Sequence, residues 1–535
     1  MDALQTNTQS HMGKPNNSSP ANLGRDYLNS LTDGASLSLF RIGFGVILTH
    51  YLLSNLAGMR LDYIFYSPSY HFRYPGFEWV PVLSIGYLKL LWGLAAISSF
   101  LITLGFFYRI ASALLAFSYT WIFLQDQVYY LNHYYFVVIL SWLMIVTPAN
   151  RRFLFLPTEE AEDERNHLVP YWSIALIRFQ VGIPYFFGGI AKLQSDWLSG
   201  HTARMFLGNR PWHEWIQQFL PEDTITYLMT FGGLSFDLLV VPALLYKRTR
   251  RYAYGLAVLF HLANAYLFPI GIFPWLMIIA TTIFFSPDWP LTFIAKAKKI
   301  RKGQASKGES IAAVAPRGKQ NPPPCNELLQ ANVVPRWRNY TLVLLLVSFA
   351  LIQITVPLRC FLSNRDPSWV EKGHKFAWHM MLRNINGKVK FYSVDIDTRN
   401  AEVVALSNYI SHAQYRYAKT KPPLLQKLAT HIADQIKESD GRSVEIYALA
   451  LASLNGREPE YLIDPTVPLN QQAQDNGDDT WMLDYTNHPL KPGFSIQVDE
   501  WEYVLKLTIP EHLQPLDHHQ NNMSAMKTPL NSQKP

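Results

Sequence analysis

Cysteine and charge are what this chain is short of. Cys325 and Cys360 are the only cysteines in 535 residues, and the topology derived below puts them on opposite sides of a membrane, which excludes a disulfide-stapled scaffold. Charged residues are only 16% of the chain and hydrophobic ones 49%, an average that conceals a sharp split along the sequence. The N-terminus has no basic-then-apolar leader, so the first apolar run, near residue 36, is expected to serve as an uncleaved anchor. His518-His519 lies in a polar tail that reads as disordered. No metal cluster of convincing spacing, glycine-rich phosphate loop or nucleophile elbow appears, and no metal is expected.

What is present is long apolar sequence, unevenly spread. Residues 1–35 read as a polar cytoplasmic tail, and 36–290 as a transmembrane domain. Residues 291–337 form a basic, Pro-rich cytoplasmic linker, 338–357 a last transmembrane helix, 358–514 an extramembrane α+β domain and 515–535 a disordered tail. A spanning helix needs roughly 20 apolar residues. By that rule there are about nine candidates, at 36–57, 83–107, 110–125, 134–147, 171–191, 224–246, 252–268, 270–286 and 338–357. The fold class is thus a polytopic α-helical membrane protein with a C-terminal α+β domain.

The formal charge of +7 is concentrated in Lys247-Arg-Thr-Arg-Arg251 and Lys296-Ala-Lys-Lys-Ile-Arg-Lys302. Nucleic-acid binding is one reading of such runs. The better one is topological, since basic loops stay cytoplasmic. Arg109, Arg151, Arg152 and Arg165 fall on the same side as those clusters. The N-terminus is then cytoplasmic and nine spans put residues 358–535 on the far side, periplasm or lumen, whereas an even count of spans reverses that side. In that domain Lys388 to Ile396 alternates as a strand, Pro422 to Glu438 has helical spacing, and Ser443 to Leu451 is a second strand. Asn455-Gly456 signals a hairpin turn.

Ionisable groups at membrane depth each need a reason. Arg178 and Asp237 count as about 10 and 14 Å from the cytoplasmic edge, which suggests a helix-packing salt bridge. Lys192 lies roughly 20 Å beyond Arg178 along the same helix, at the edge of lipid, so the pair is expected to stand apart from it. A lysine at a helix end is commonly a snorkelling one. Desolvated instead, it loses its charge readily and becomes a base. Asn132 and His133 sit among four tyrosines, either an aromatic belt or the polar mouth of a pocket. His261 and Asn264 are one turn apart on one face, either a helix-to-helix contact or part of the same pocket.

Together these segments resemble the vitamin K-dependent γ-glutamyl carboxylase family, which shares the bacterial domain called horizontally transferred transmembrane (HTTM). Gly189-Ile-Ala-Lys-Leu-Gln-Ser-Asp-Trp197 is similar to the family's lysine motif. Leu131-Asn-His133, Pro170-Tyr-Trp172 with Arg178 and Gln180, and Gly232-Gly-Leu-Ser-Phe-Asp237 follow the family's order. So do His261 to Asn264, Ile270-Gly-Ile-Phe273 and Ser286-Pro-Asp-Trp-Pro290, and in the far-side domain Trp378-His-Met-Met381 and Ile463-Asp-Pro465. Ala191 stands where the family often has a first lysine, and His379 where it has an acidic residue. The chain also lacks much of the animal enzymes' C-terminal luminal region, which bears on recognition of a substrate protein.

The resemblance implies oxygen-dependent carboxylation of peptidyl glutamate driven by oxidation of reduced vitamin K (phylloquinol or menaquinol), with O₂ and CO₂ as co-substrates. Lys192 is implied as the base that deprotonates the hydroquinone, with His133 and Asn132 as hydrogen-bonding partners. Tyr185, Phe186, Phe187, Phe268 and Phe273 are expected as apolar walls, and Gly188 and Gly189 as room for a flat ring. His261 and Asn264 are expected beside the quinone, with Met380 and Met381 closing the pocket or simply serving as core. Trp378 and Arg383 are candidates for the substrate, Arg383 for its carboxylate. The partners implied are membrane lipid with its quinone pool and a glutamate-containing peptide or protein, with no nucleic acid. The setting implied is a bacterial inner membrane with the C-terminal domain in the periplasm. Two other readings stay open: a quinol epoxidase that carboxylates no peptide, and a non-enzymatic membrane binding or transport protein on the same fold.

Overall fold

The structure is a computed structural model. It describes residues 28–514 apart from 59–60, 63, 65–68, 156–163, 208–216, 269, 306–335, 363–364, 381, 473–478, 487–497 and 506–507. The N-terminal tail to residue 27, most of the basic linker with Cys325, Met381, and the C-terminal tail with His518-His519 lie outside the described residues.

The first half is a helical bundle. It contains α1 (Ala35–Ala57), α2 (Ile85–Leu104), α3 (Tyr108–Phe123), α4 (Asn132–Val146), α5 (Tyr171–Ala191), α6 (His201–Leu207), α7 (Glu222–Leu245), α8 (Arg250–Leu267), α9 (Phe273–Thr281) and α10 (Trp289–Ala305). A helix α11 (Arg336–Leu358) leads to the C-terminal domain. Two three-residue strands, β1 (Leu31–Asp33) and β2 (Leu168–Pro170), pair antiparallel just before α1 and α5.

Every segment expected to span is helical, yet the expectation of nine spans is too high by the measure of length and apolarity. Among the described residues five helices are long and apolar enough to cross a membrane: α1, α2, α5, α7 and α11 with the 3₁₀ turn Arg359–Leu362 that continues it. α3 and α4, with 16 and 15 residues, rise only about 24 and 22 Å, short of the roughly 30 Å hydrocarbon core. α8 is diluted by Arg250, Arg251, His261 and Asn264. α9 stops after nine residues in a 3₁₀ turn, Thr282–Phe284, and bends by 93° into α10, so this pair adds at most a sixth span.

The break after α9 has a physical cause. The turn frees backbone carbonyls, and Arg178 of α5 supplies donors: Nε to Ile283 O at 2.8 Å and Nη2 to Phe285 O at 2.7 Å, with Nη1 on Tyr171 Oη at 2.8 Å. Arg178 therefore does not pair with Asp237, contrary to the expectation from depth. Arg41 does the same for α2, donating to Ile102 O at 2.6 Å, Thr103 O at 3.0 Å and Phe153 O at 2.8 Å. Gly105 ends α2 with φ +79°, and a Cβ there would meet Arg41 Nη1 at 2.6 Å, so a residue free to take positive φ also makes room for the guanidinium.

The C-terminal domain is α+β as expected. Its antiparallel sheet runs β4 (Ala401–Val403), β3 (Ile385–Asp395), β5 (Val444–Leu454), β6 (Glu460–Tyr461). β3 and β5 pair over their full length, Ile385 opposite Leu454 through Asp395 opposite Val444. Asn455 and Gly456 both have positive φ, +52° and +75°, as the tight turn into β6 requires. Helix α12 (His412–Ala418) begins in a Ser411/Gln414 capping box, and α13 (Pro422–Asp440) follows. α13 lays Leu424, Leu425, Leu428, Ala429, Ile432 and Ile436 into one core with Val389, Phe391, Ile446 and Ala448 of the sheet.

The domain sits on the bundle through specific bonds. Gln414 Nε2 donates to Asp126 Oδ2 at 2.8 Å, Ser69 Oγ to Tyr409 O at 2.8 Å, and Arg457 to Asp196 by both nitrogens. Nearly all of these groups flank the end of the bundle that carries Lys192.

Candidate active site

Lys192 caps the C-terminus of α5. The chain continues through Leu193 and Gln194 to a one-turn helix, Ser195–Leu198. Three contacts pin that stretch: Gln194 Nε2 to Leu382 O at 3.2 Å, Ser368 Oγ to Gln194 Oε1 at 3.1 Å, and Trp197 Nε1 to Thr230 O at 3.0 Å. The lysine side chain folds back along its own helix. Its Nζ donates to Gly188 O at 3.2 Å and to Asp237 Oδ2 at 2.6 Å, and lies 5.2 Å from the Trp197 ring. Both charged side chains are nearly sealed from solvent, at 9% and 8% exposure. Lys192 is therefore no snorkelling residue.

The pair forms part of the wall of a cavity of about 990 Å³ bounded mainly by α5, α7, α8 and α9. Eight of the residues expected at the site line it: Asn132, His133, Tyr185, Lys192, His261, Asn264, Phe273 and Met380. Phe268 is also on the wall. Tyr185 Oη and His261 Nε2 are 2.6 Å apart, and Tyr185 reaches Thr281 Oγ1 at 3.1 Å. His261 Nδ1 is buried without a hydrogen-bond partner. The outer rim is built from apolar side chains of α7 and α8 that are exposed on the bundle surface, Leu239, Leu256 and Leu259 among them.

Several expectations are corrected. Gly189 is not beside the cavity: a Cβ there would meet Leu238 Cδ2 at 2.6 Å, so its missing side chain lets α5 and α7 pack closely. Gly188 leaves no room for a ring either. A Cβ on it would meet Asp237 Oδ2 at 3.4 Å and Met380 Cε at 3.9 Å, so its bareness admits the carboxylate that holds Lys192. Phe187 is buried in the helical core and Phe186 is half exposed on the outside; neither lines the cavity. Trp378 is fully buried, packed on Tyr135 and Phe136, also off the cavity wall. Arg383 is paired with Glu371 and donates to Ser368 O, so its charge is already met inside the domain. Met381 lies outside the described residues.

Asn132 and His133 are on the wall, but neither is a hydrogen-bond partner of Lys192. Asn132 is held by Tyr130 Oη at 2.9 Å and donates to His379 O at 2.7 Å, which ties the start of α4 to the C-terminal domain. The expectation missed Asp237 as the lysine's partner. The available signal was its place at the end of the Gly232-Gly-Leu-Ser-Phe-Asp237 segment. It also missed His379, which lines the cavity and meets His374 Nδ1 at 3.3 Å through its own Nδ1. Burial and the neighbouring His374 push the His379 imidazole down to about 3, so it is neutral at ordinary pH.

The arrangement can hold a large apolar molecule and can present to it the side chains of Lys192, Asp237 and Tyr185 and the imidazoles of His133, His261 and His379. Fold and site thus define an integral membrane protein with a buried lysine at the wall of an apolar cavity, followed by a C-terminal α+β domain. Residues 29–289 match the family model of the HTTM domain, and residues 338–488 that of the vitamin K-dependent gamma-carboxylase lumenal domain. No solved structure matches the chain. With both parts matched in order, the chain belongs to the vitamin K-dependent γ-carboxylase family.

Proposed function

We propose that the protein is a vitamin K-dependent carboxylase-like enzyme that couples oxygen-dependent hydroquinone epoxidation to carboxylation of a peptidyl glutamate. The observation that carries this reading is the Lys192–Asp237 pair at 2.6 Å on the wall of the 990 Å³ cavity. The cavity fits a naphthoquinone ring and the start of its tail in size, and the partnerless His261 Nδ1 is a polar atom of the kind a bound hydroquinone would satisfy. When bound, reduced vitamin K supplies the reducing power that, with O₂, generates a base strong enough to ionise the glutamate γ-carbon.

The chain's own part is to hold, deprotonate and keep dry. Lys192 and Asp237 carry no net charge together, whether their shared proton is on nitrogen or on oxygen. With the proton on Asp237 Oδ2, Lys192 is a free amine able to take a proton from a hydroxyl in the cavity. Apolar side chains of α7, α8 and α9 exclude water, which protects a strong base from quenching. His261, oriented by Tyr185, and His133 are the imidazoles on the wall that can hydrogen-bond the ring oxygens. The proposed cofactor is phylloquinol or menaquinol from the membrane's quinone pool, with O₂ and CO₂ as co-substrates. The proposed setting is a bacterial inner membrane with the C-terminal domain in the periplasm.

One observation favours the reading without peptide carboxylation: Arg383 is occupied by Glu371, leaving the expected partner of a substrate carboxylate engaged. A single assay separates the readings. Purified protein receives reduced vitamin K, bicarbonate and a glutamate-containing peptide. Epoxide together with CO₂ in the peptide is expected. Epoxide alone would assign a quinol oxygenase, and neither product would overturn the enzymatic reading.

A further inference from the structure

A second cavity, about 190 Å³, lies away from Lys192 where the ends of α1, α2 and α3 and the start of α4 meet α12 of the C-terminal domain. We propose that it seats the headgroup of a zwitterionic phospholipid, an alkylammonium joined through two carbons to a phosphate.

The inner walls are rings. Tyr51 stands with its ring centroid 6.3 Å from Trp92 and 6.0 Å from Tyr134, tilted by 43° and 42°, so the three form a corner and not a stack. Tyr119 lines it as well, and Tyr417 faces it from the domain. Such a box attracts an ammonium through the negative faces of the rings. Asp126 is also on the wall; its carboxylate is fully buried, lies 3.5 Å from His71 Nδ1 through Oδ2, and accepts from Val128 N at 2.9 Å and Gln414 Nε2 at 2.8 Å. Its charge adds to the field that a cation among the rings would feel, and its hydrogen-bonding oxygens are already taken up by protein groups.

The remaining charged residue on the wall is Arg416 of α12. It is exposed, its Cζ lies 5.9 Å from the Tyr417 ring, and among the described residues it is in no ion pair. A lone anion would meet aromatic faces and the field of Asp126. A lone cation would meet Arg416 at the entrance. A molecule with both charges a few bonds apart matches both ends, phosphate on the guanidinium and ammonium among the rings. The volume is below the roughly 300 Å³ at which pockets for whole ligands begin, so the headgroup alone enters and the acyl chains stay outside. The position suits this, because aromatic residues at helix ends mark the headgroup level of a bilayer. A bound headgroup would tie α12 to α1 and α2, bracing the domain over the bundle.

The test uses the full chain in detergent. Short-chain phosphatidylethanolamine, phosphatidylcholine and phosphatidylglycerol with identical acyl chains are offered separately, and retention is read by native mass spectrometry and by the rise in melting temperature. Retention of either ammonium lipid but not of phosphatidylglycerol is expected, the ethanolamine and choline arms showing which amine the box prefers. Arg416→Gln should weaken it by about tenfold, the loss of one charge-assisted contact, with no change in melting temperature before lipid is added. Trp92→Leu should weaken it too. Equal retention of phosphatidylglycerol, or unchanged retention in Arg416→Gln, overturns the proposal. So does binding of a lysine-containing peptide in this box together with no retention of any of the three lipids, which would make the box a reader of basic side chains. None of these readouts depends on the chemistry at Lys192.

Discussion

Arg457 reaches from the turn after β5 to Asp196, Nη1 to Oδ2 at 2.6 Å and Nη2 to Oδ1 at 2.7 Å, and Asn455 of the same turn adds a bond to Oδ2 at 2.7 Å. Asp196 is four residues after Lys192. The C-terminal domain thus clamps the segment that positions the candidate base. A planar two-toothed contact of this kind is specific to arginine. Arg457→Lys is expected to cost about 3 kcal/mol of stability, since it breaks a largely buried pair, and to lower kcat for epoxide formation by roughly tenfold as Lys192 loses its fixed place. Thermal unfolding in detergent and single-turnover epoxide assays would check this. An unchanged kcat would separate the clamp from catalysis.

Lys192→Ala should lower epoxide formation by roughly 10²–10⁴-fold, the usual worth of a positioned general base, with expression intact. A small primary amine added to the reaction should restore part of the rate. Asp237→Asn tests the pair separately. An amide cannot take the proton from Lys192, so the rate should fall at least about tenfold even though the side chain is of equal size. The double variant Lys192→Ala/Asp237→Asn should be no slower than Lys192→Ala alone, because the two act as one unit. Full activity in Asp237→Asn would reduce the carboxylate to a tether.

How much of this was legible beforehand differs by feature. Residues 171–191 and 36–57 are helices α5 and α1 almost to the residue, because long apolar runs leave one solution in lipid. The strand around Lys388, helix α13 and the turn at Asn455-Gly456 follow from period and turn chemistry. The partner of Lys192 was not legible. Depth counted along each helix matched Asp237 with Arg178, but α5 and α7 are offset along their axes. Their register is set by packing, with Gly189 against Leu238 and Gly182 against Val241, and no single-helix pattern encodes that. The lysine then closes the remaining gap by folding back to Gly188. Arg383 was misread for a similar reason: its partner Glu371 is 12 residues away across a loop of irregular turns.

Acid should loosen the protein in two windows. Burial, then the neighbouring Lys421 and Lys375, push His374 down to about 3; burial and His374 push His379 down to about 3 as well. In the unfolded chain both titrate near 6.5. Below about pH 6.5 the unfolded state therefore binds protons that the folded state refuses, and stability should fall by about 1 kcal/mol per pH unit for each histidine. For Asp196, burial acts upward, but the Arg457 and Asn455 bonds win and hold it below the usual carboxylate range. Its contribution is full above about pH 4 and is lost as pH falls further. Urea unfolding from pH 8 to pH 3 should show the first decline flattened by His379→Gln and the second removed by Asp196→Asn. A flat profile between pH 6.5 and 4 in the unsubstituted protein would contradict the buried neutral histidines.

The two adjacent glycines before Lys192 should respond differently to one methyl group. At Gly189 a Cβ would lie 2.6 Å from Leu238 Cδ2 and 3.2 Å from Leu238 N, the second a backbone atom that cannot step aside. Gly189→Ala must therefore push α5 away from α7, at an expected cost of 1 to 3 kcal/mol, about that of overpacking a well-filled core. At Gly188 the nearest atoms are Asp237 Oδ2 at 3.4 Å and Met380 Cε at 3.9 Å, ordinary contact distances. Gly188→Ala should leave the melting temperature nearly unchanged, or raise it slightly through the helix propensity of alanine. A larger Gly188→Val would press on Asp237 Oδ2 and should lower epoxide formation more than stability. If instead Gly189→Ala were neutral and Gly188→Ala unfolded the protein, the α5–α7 register, and with it the Lys192–Asp237 pair, would be wrong.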